Sequence, residues 1–127
     1  MSKVIIVEGK TDKKHLEQVL AEPVEIVCTY GTLGPERLEE LIAKYSEDEV
    51  YVFLDADDAG DKTRILFKRE FPNVRHIYTH RMYREVATTP LSVIAQILEG
   101  AHFAVNSFEG EEERKNRRLN KKSGHLW

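Results

Sequence analysis

The sequence has one cysteine, no long apolar run and no excess of positive charge, and each of these absences excludes a class of protein. Cys28 has no partner for an internal disulfide, which excludes a small disulfide-stapled domain and favours a reducing compartment. No stretch approaches the roughly 20 apolar residues that span a bilayer, and no signal-peptide core follows Met1. We therefore expect a cytoplasmic protein with no membrane contact.

The charge balance limits how the chain can meet nucleic acid. Its 19 Lys and Arg residues stand against 22 Asp and Glu residues, for a formal net charge of −3. Because no global positive field results, any contact with nucleic acid must be local. A length of 127 residues with 41% hydrophobic and 32% charged content is typical of one compact domain.

Short β-branched runs alternate with amphipathic stretches, which is typical of βα units and a parallel sheet. Strands are predicted at 4–7, 25–30, 50–54 and 74–78. A helix is predicted after each strand: one capped by Thr11 or Asp12, one opened by Pro35, one through 65–67 and one from Thr89 to Gly100. A fifth short strand can form at 102–105. We expect a Rossmann-like three-layer α/β domain over 1–106, followed by a charged extension over 107–127 that favours a helix.

Acidic residues follow two of the predicted strands at once. Glu8 closes the run 4–7, and four aspartates follow the run 50–54, namely Asp55, Asp57, Asp58 and Asp61. Ligands of open α/β sheets bind beyond the carboxyl ends of the strands, at a point where the strand order reverses. For Glu8 and Asp55 to act together, the first and third strands must be neighbours, which favours the strand order 2-1-3-4.

Several carboxylates at one edge of a sheet repel each other unless a proton or a cation lies between them. Mg²⁺ suits the position, because it takes hard oxygen ligands and is usually shared between one or two carboxylates and a phosphate. The alternative is a solvated helix N-terminus, where Asp is favoured by the helix dipole.

Two segments resemble the signature motifs of TOPRIM domains. The segment 5–12 reads Ile-Ile-Val-Glu-Gly-Lys-Thr-Asp, and the segment 54–60 reads Leu-Asp-Ala-Asp-Asp-Ala-Gly. The superfamily pattern is one Glu after the first strand and Asp-x-Asp after the third, each followed by Gly. The resemblance covers about residues 3 to 100, and it is closest to small stand-alone bacterial TOPRIM proteins and to the N-terminal half of the ribosomal RNA maturation nuclease.

The resemblance implies Mg²⁺-dependent phosphodiester chemistry, with Mn²⁺ as a substitute ion. Glu8 would act as general acid or base, while Asp55 and Asp57 would hold the metal. Asp61 is a further candidate ligand, unless it or Asp58 caps the following helix. Lys10 either contacts phosphate or is an exposed loop lysine.

Other basic residues compete for the substrate role. Lys62 and Arg64 either reach a backbone phosphate or neutralise the aspartates. Arg81 and Arg84 follow the fourth strand, where tyrosines interleave with cations as in surfaces that bind single-stranded nucleic acid. The alternative places Tyr78 in the packed sheet and both arginines in water.

Two functions of different class follow. One is a metal-dependent nuclease that hydrolyses RNA or DNA. The other is a noncatalytic TOPRIM module that binds nucleic acid, a protein partner or a second copy of the chain. The charged extension is either a solvated helix or a basic arm that adds affinity for nucleic acid. Topoisomerase activity by this chain alone is not expected, because its five tyrosines fall mostly in core patterns.

Overall fold

A computed structural model describes residues 2–31 and 33–106 of the chain, in which strands and helices alternate. The strands are β1 (Lys3–Val7), β2 (Glu25–Cys28), β3 (Glu49–Leu54) and β4 (Arg75–Tyr78). The helices are α1 (Lys10–Glu17), α2 (Pro35–Tyr45), α3 (Asp58–Glu70) and α4 (Leu91–Gly100). None of the helices in these described residues is long and apolar enough to cross a membrane.

The strands form one parallel sheet in the order β2-β1-β3-β4, which confirms the predicted order. Ile6 on β1 lies between Val27 on β2 and Val52 on β3. At the far edge, Leu54 on β3 lies beside Tyr78 on β4. The chain reverses its direction of winding between β1 and β3, so the crevice at this switch point lies between the strand that ends before Glu8 and the strand that ends before Asp55.

Two apolar cores, one on each face of the sheet, make the domain three layers deep. Alternate side chains of β1 point to opposite faces. Ile5 and Val7 belong to the core beneath α1 and α4, and Val4 and Ile6 belong to the core beneath α2 and α3. Because both faces are covered, the two central strands, β1 and β3, are buried and apolar after their first residue, as buried parallel strands are.

Three local predictions differ from the structure. The segment 102–105 forms no strand of the sheet, and makes only an isolated antiparallel bridge between Val105 and Leu20. Helix α1 begins earlier than predicted, because Gly9 takes the N-cap position. At α4 the N-cap is Pro90 rather than Thr89. The predicted helical extension at 107–127 lies outside the described residues.

Candidate metal and phosphodiester site

The acids that follow β1 and β3 lie together, because these strands are hydrogen-bonded neighbours with their carboxyl ends at one edge. The closeness of Glu8 to the aspartates is reflected in the pKa of Glu8. Burial raises the pKa of Glu8 above its ordinary value, and the negative charges of Asp55, Asp57 and Asp12 raise it further. A carboxyl group with a raised pKa holds and releases its proton closer to neutral pH.

Asp55 is held in place by a loop that is distant in sequence. Its Oδ1 accepts a hydrogen bond of 2.8 Å from the backbone N–H of Val86. The next residue, Ala56, donates its N–H to the carbonyl oxygen of Arg84 at 2.6 Å. Both bonds come from the loop 79–90, which therefore fixes the position of this carboxylate relative to β3.

Asp57 caps α3, a role that the sequence had assigned to Asp58 or Asp61. Its Oδ1 accepts a hydrogen bond of 2.7 Å from the N–H of Gly60. A cap bond of this kind satisfies an otherwise unpaired N–H in the first turn. Because it occupies one carboxylate oxygen, it also fixes the direction in which the other one points.

Gly60 permits this tight turn because it has no side chain. A Cβ at this position would lie 2.2 Å from the carbonyl oxygen of Asp55 and 3.2 Å from Oδ1 of Asp57. The first turn of α3 therefore packs directly on the backbone that carries both aspartates.

Asp12 is a member of the site that the sequence analysis missed as a site residue. It is only 8% exposed, and its Oδ2 accepts a 3.0 Å hydrogen bond from the N–H of Gly9. Burial is the largest cause of its raised pKa, and the negative charges of Asp55 and Glu85 add to it, while hydrogen bonds from Gly9 and Ala87 act in the opposite direction. An acid three residues after the N-cap can bond back to the N-cap N–H, which is one half of a capping box, and this spacing could have placed the Asp12 carboxylate near Glu8.

A cleft of about 510 Å³ opens beside the acids. The ends of β1 and β3 and the loop after β2 form one wall, and the first turns of α3 form the other. Lys62 lies on the α3 side, so the structure brings this predicted phosphate-contacting residue to the same cleft as Glu8. The residues that line the cleft are Glu8, Thr29, Gly31, Leu54, Asp58, Ala59, Gly60, Lys62 and Thr63.

The other predicted site residues lie around this centre. Lys10 is exposed at the start of α1. Asp61 lies beside Arg81, whose guanidinium nitrogen is 3.9 Å from its Oδ2. The charges that raise the pKa of Glu8 are those of Asp55, Asp57 and Asp12. Arg84 is exposed and has a left-handed backbone with φ of 59°.

Arg64 requires a correction, because it is 4% exposed and does not face solvent as a phosphate contact must. Its guanidinium donates to the carbonyl oxygens of Val52 (3.4 Å), Leu54 (3.2 Å) and Ile77 (2.6 Å). These carbonyls belong to the ends of β3 and β4. Arg64 therefore joins the two strand ends next to Asp55 from behind.

The donor set fits a Mg²⁺ ion that is shared with a substrate. Within residues 2–31 and 33–106, no three His, Cys, Asp or Glu side chains form a complete metal site by themselves. Mg²⁺ needs only one or two protein carboxylates, since waters and phosphates supply its other ligands. Asp55 and Asp57 each use one oxygen for an anchoring hydrogen bond. A cation at the site would offset the negative charges of Asp55 and Asp57 that raise the pKa of Glu8.

Comparison with known proteins agrees with this geometry. The model of the Toprim domain family matches residues 3–82. YusF of Bacillus subtilis (strain 168) is 45% identical over 107 residues, which are 84% of this chain and 73% of that protein. A solved structure of a small TOPRIM domain protein from Bacillus stearothermophilus superimposes with a TM-score of 0.81 at 50% identity, covering 84% of this chain and 90% of the other.

A more distant relative is ribonuclease M5 1 of Ligilactobacillus salivarius (strain CECT 5713). It is 32% identical over 79 residues, which are 61% of this chain but only 40% of that enzyme. The similarity therefore leaves more than half of the ribonuclease without a counterpart in the alignment.

Proposed function

Because this chain belongs to the Toprim domain family, we propose that it hydrolyses phosphodiester bonds of RNA or DNA with the help of Mg²⁺. Toprim domains generally bind this ion, and the ribonuclease M5 relative supports a nuclease-type function at the level of the family. The observation that carries the proposal is the convergence of Glu8, Asp55 and Asp57 at one edge of the sheet, with the raised pKa of Glu8 as its electrostatic signature.

Asp55 and Asp57 are the residues that would hold the ion. A bound Mg²⁺ would polarise a nonbridging phosphate oxygen and help to orient the scissile bond. The protein keeps both carboxylates in position through backbone N–H groups, from Val86 to Asp55 and from Gly60 to Asp57. Backbone donors of this kind hold the ligands at little entropic cost when substrate arrives.

Glu8 would exchange a proton with the attacking water or with the leaving oxygen. Efficient proton transfer requires a pKa close to the working pH, and burial and neighbouring aspartates shift the pKa of Glu8 in that direction. Lys62, in the same cleft, places a positive charge where it can contact a phosphate of the bound strand. Arg81, beside Asp61 at the edge of the site, can contact a neighbouring phosphate.

The test combines metal binding with cleavage. Binding of Mn²⁺ as a surrogate, followed by electron paramagnetic resonance with Mg²⁺ competition, should weaken sharply in Asp55→Asn. Cleavage of labelled RNA and DNA should require Mg²⁺ and should fall by about 100-fold in Glu8→Gln, the smaller end of a general acid–base contribution. The matched control is Glu40→Gln, which makes the same change of charge at an exposed position on α2.

The outcomes separate the candidate functions. Metal-dependent cleavage that is equally fast in Glu8→Gln would refute the role of Glu8. Wild-type protein that binds nucleic acid but cleaves neither RNA nor DNA would contradict hydrolysis and favour the noncatalytic module.

A further inference from the structure

Tyr78, the last residue of β4, is one of two tyrosines that are more than half exposed within the described residues. Its side chain does not pack within the sheet, since the residue is 54% exposed. One face of its ring is covered by Arg64, whose guanidinium carbon lies 4.0 Å from the ring centroid. A half-exposed ring that is supported on one face leaves its other face open to solvent.

The support beneath the ring is rigid. Arg64 is almost fully buried and donates to three strand carbonyls, which fixes the plane of its guanidinium. The Nδ1 of His76 lies 3.2 Å from Nη1 of the same guanidinium, and burial, together with the charge of Arg64, lowers the pKa of His76 to about 4. His76 is therefore neutral at physiological pH and can accept a hydrogen bond from Arg64, so that the stack does not contain two adjacent cations.

The position of Tyr78 connects it to the acidic site. Tyr78 is paired with Leu54, the residue immediately before Asp55. Neighbouring strands lie about 4.8 Å apart, so the ring lies one strand beyond the end of β3 on which Asp55 is placed. A nucleotide that stacks on Tyr78 would therefore lie close to a phosphate bound at Asp55 and Asp57.

A groove of about 430 Å³ continues from Tyr78 along the outer edge of β4. The partly buried residues Ile97 and Ala101 contribute apolar surface, and the basic side chains of Arg75 and His102 line it as well. Arg81, three residues after Tyr78 in the chain, is exposed beside Asp61. In a chain with a net charge of −3, this local mixture of cations and aromatic surface is complementary to a nucleic acid strand.

We propose that Tyr78 is a stacking platform for an unpaired base of the substrate, and that the groove along β4 holds the adjoining nucleotides. The proposal rests on the proposed function, since it names the substrate class of the same site as single-stranded or locally unpaired nucleic acid. A base can lie on the open face of Tyr78 only when it is not stacked within a duplex. The Arg64 guanidinium behind the ring adds a cation–π contact to the same stack.

A second copy of the chain is a weaker fit to this edge. β4 has only four residues, and it carries the exposed residues Arg75 and Tyr78. Short edge strands with charged side chains resist strand pairing with another molecule. We therefore do not expect self-association through β4, and its observation would overturn the proposal.

The test is a fluorescence anisotropy titration in EDTA, in which Mg²⁺-dependent cleavage cannot occur. The probes are fluorescein-labelled single strands of RNA and DNA about 12 nucleotides long, which is within the site sizes of single-strand binding surfaces, and duplexes of the same sequences. Tyr78→Ala should weaken single-strand binding by about tenfold, and Tyr78→Phe, which keeps the ring, should stay within about threefold of wild type. Affinity for the duplexes should change by less than about twofold, because stacking does not contribute to it.

Ile65→Ala is the control. Ile65 is 63% exposed on α3 and lines neither the acidic cleft nor the groove along β4, so it reports the effect of removing an exposed apolar side chain elsewhere. An equal loss in Ile65→Ala, an equal loss for duplex, or wild-type affinity in Tyr78→Ala would each overturn the platform. Wild-type protein that forms a dimer lost in Tyr78→Ala, with no change in binding of nucleic acid, would overturn it in favour of self-association.

A parallel cleavage assay distinguishes this proposal from the proposed function. If cleavage depends on Mg²⁺ and Glu8 while Tyr78→Ala binds and cleaves as wild type does, the platform is refuted and the hydrolytic function stands. If single-strand binding depends on Tyr78 but no cleavage occurs, the hydrolytic function is refuted and the platform stands. If wild type binds no nucleic acid at all, both are refuted.

Discussion

Replacing Gly60 by alanine tests whether the first turn of α3 positions the two aspartates. The new Cβ would lie 2.2 Å from the carbonyl oxygen of Asp55, a backbone atom that cannot rotate away. Either the helix or the segment 55–57 must therefore move by about 1 Å to reach ordinary van der Waals separation. In an unhindered helix the same substitution would stabilise the protein by about 1 kcal/mol.

The two effects can be compared in size. Overpacking against a part of the structure that cannot relax costs about 3 kcal/mol, so we expect Gly60→Ala to lower the free energy of unfolding by about 2 kcal/mol. For a domain of this size the melting temperature should fall by roughly 6 to 10 °C. Because Gly60 also donates the N–H that orients Asp57, affinity for Mn²⁺ should fall by about 10- to 100-fold, as it does when partners of metal ligands are lost.

Gly100→Ala provides the matched control for this substitution. Gly100 is also helical, at the end of α4, but a Cβ there meets no atom within 4 Å. It should leave stability within about 0.5 kcal/mol of wild type or raise it, with Mn²⁺ binding unchanged. Thermal unfolding and Mn²⁺ titration of both variants measure these effects. If Gly60→Ala were as stable as Gly100→Ala and bound Mn²⁺ as wild type does, the packing of α3 on Asp55 would not be what positions the site.

Three further substitutions probe the surroundings of the site. Arg64→Met leaves the strand carbonyls that Arg64 now binds without their donor, and should cost about 3 kcal/mol in urea unfolding; a loss below about 1 kcal/mol would contradict the bridging role. The neutral form of His76 is favoured in the fold because burial lowers its pKa from 6.5 to about 4. The unfolded chain therefore takes up this proton first as the pH falls below 6.5, so stability is lost progressively between pH 6.5 and 4, by about 1 to 2 kcal/mol at pH 5 after allowance for partial exposure. His76→Gln should lose less stability than wild type between pH 7 and 5 in urea unfolding, and identical losses would refute this assignment. Asp57→Asn keeps an oxygen that can cap α3 but removes a negative charge, so it should lower the pKa of Glu8 in a carbon-13 carboxyl NMR titration; an unchanged pKa would show that Asp57 does not act on Glu8.

The strands could be predicted from their apolar runs, and their order could be predicted from the acidic residues that follow two of these runs. The central strands β1 and β3 are short apolar runs covered on both faces, and Glu8 and Asp55 mark the ends of these two runs. The requirement that these two acids meet selected the order 2-1-3-4, which the structure confirms. The same reasoning failed for 102–105, where a short run with β character pairs only through a single bridge.

Arg64 is a charged residue that is buried, and its charge alone does not indicate this. A positive charge shortly after the acidic loop predicts contact with a phosphate or with the aspartates. Gly60, Arg64 and Phe67, however, fall at i, i+4 and i+7 and share the buried face of α3. Helical periodicity was thus the available signal that Arg64 points inward.

Other features of the site depend on contacts between distant parts of the chain, and no short sequence pattern predicts them. The hydrogen bond from Val86 to Asp55 joins residues 31 positions apart, and the loop that makes it contains no pattern of its own. Tyr78 ends a short run with β character, which favours the alternative that it packs in the sheet. Its exposure arises because β4 is an edge strand and because Arg64 occupies the space beneath its ring.

The loop 79–90 connects the two halves of the proposed mechanism. Its backbone holds Asp55 and Ala56, through Val86 and Arg84, while the exposed side chains of Arg81 and Arg84 project from the same segment. The loop backbone therefore positions the proposed metal ligand Asp55, while the side chains of the same loop are available to contact substrate. It follows that a strand bound along Tyr78 and this loop would press on the element that fixes Asp55. If substrate binds as proposed, its binding and the geometry of the acidic site would be coupled through this one short segment.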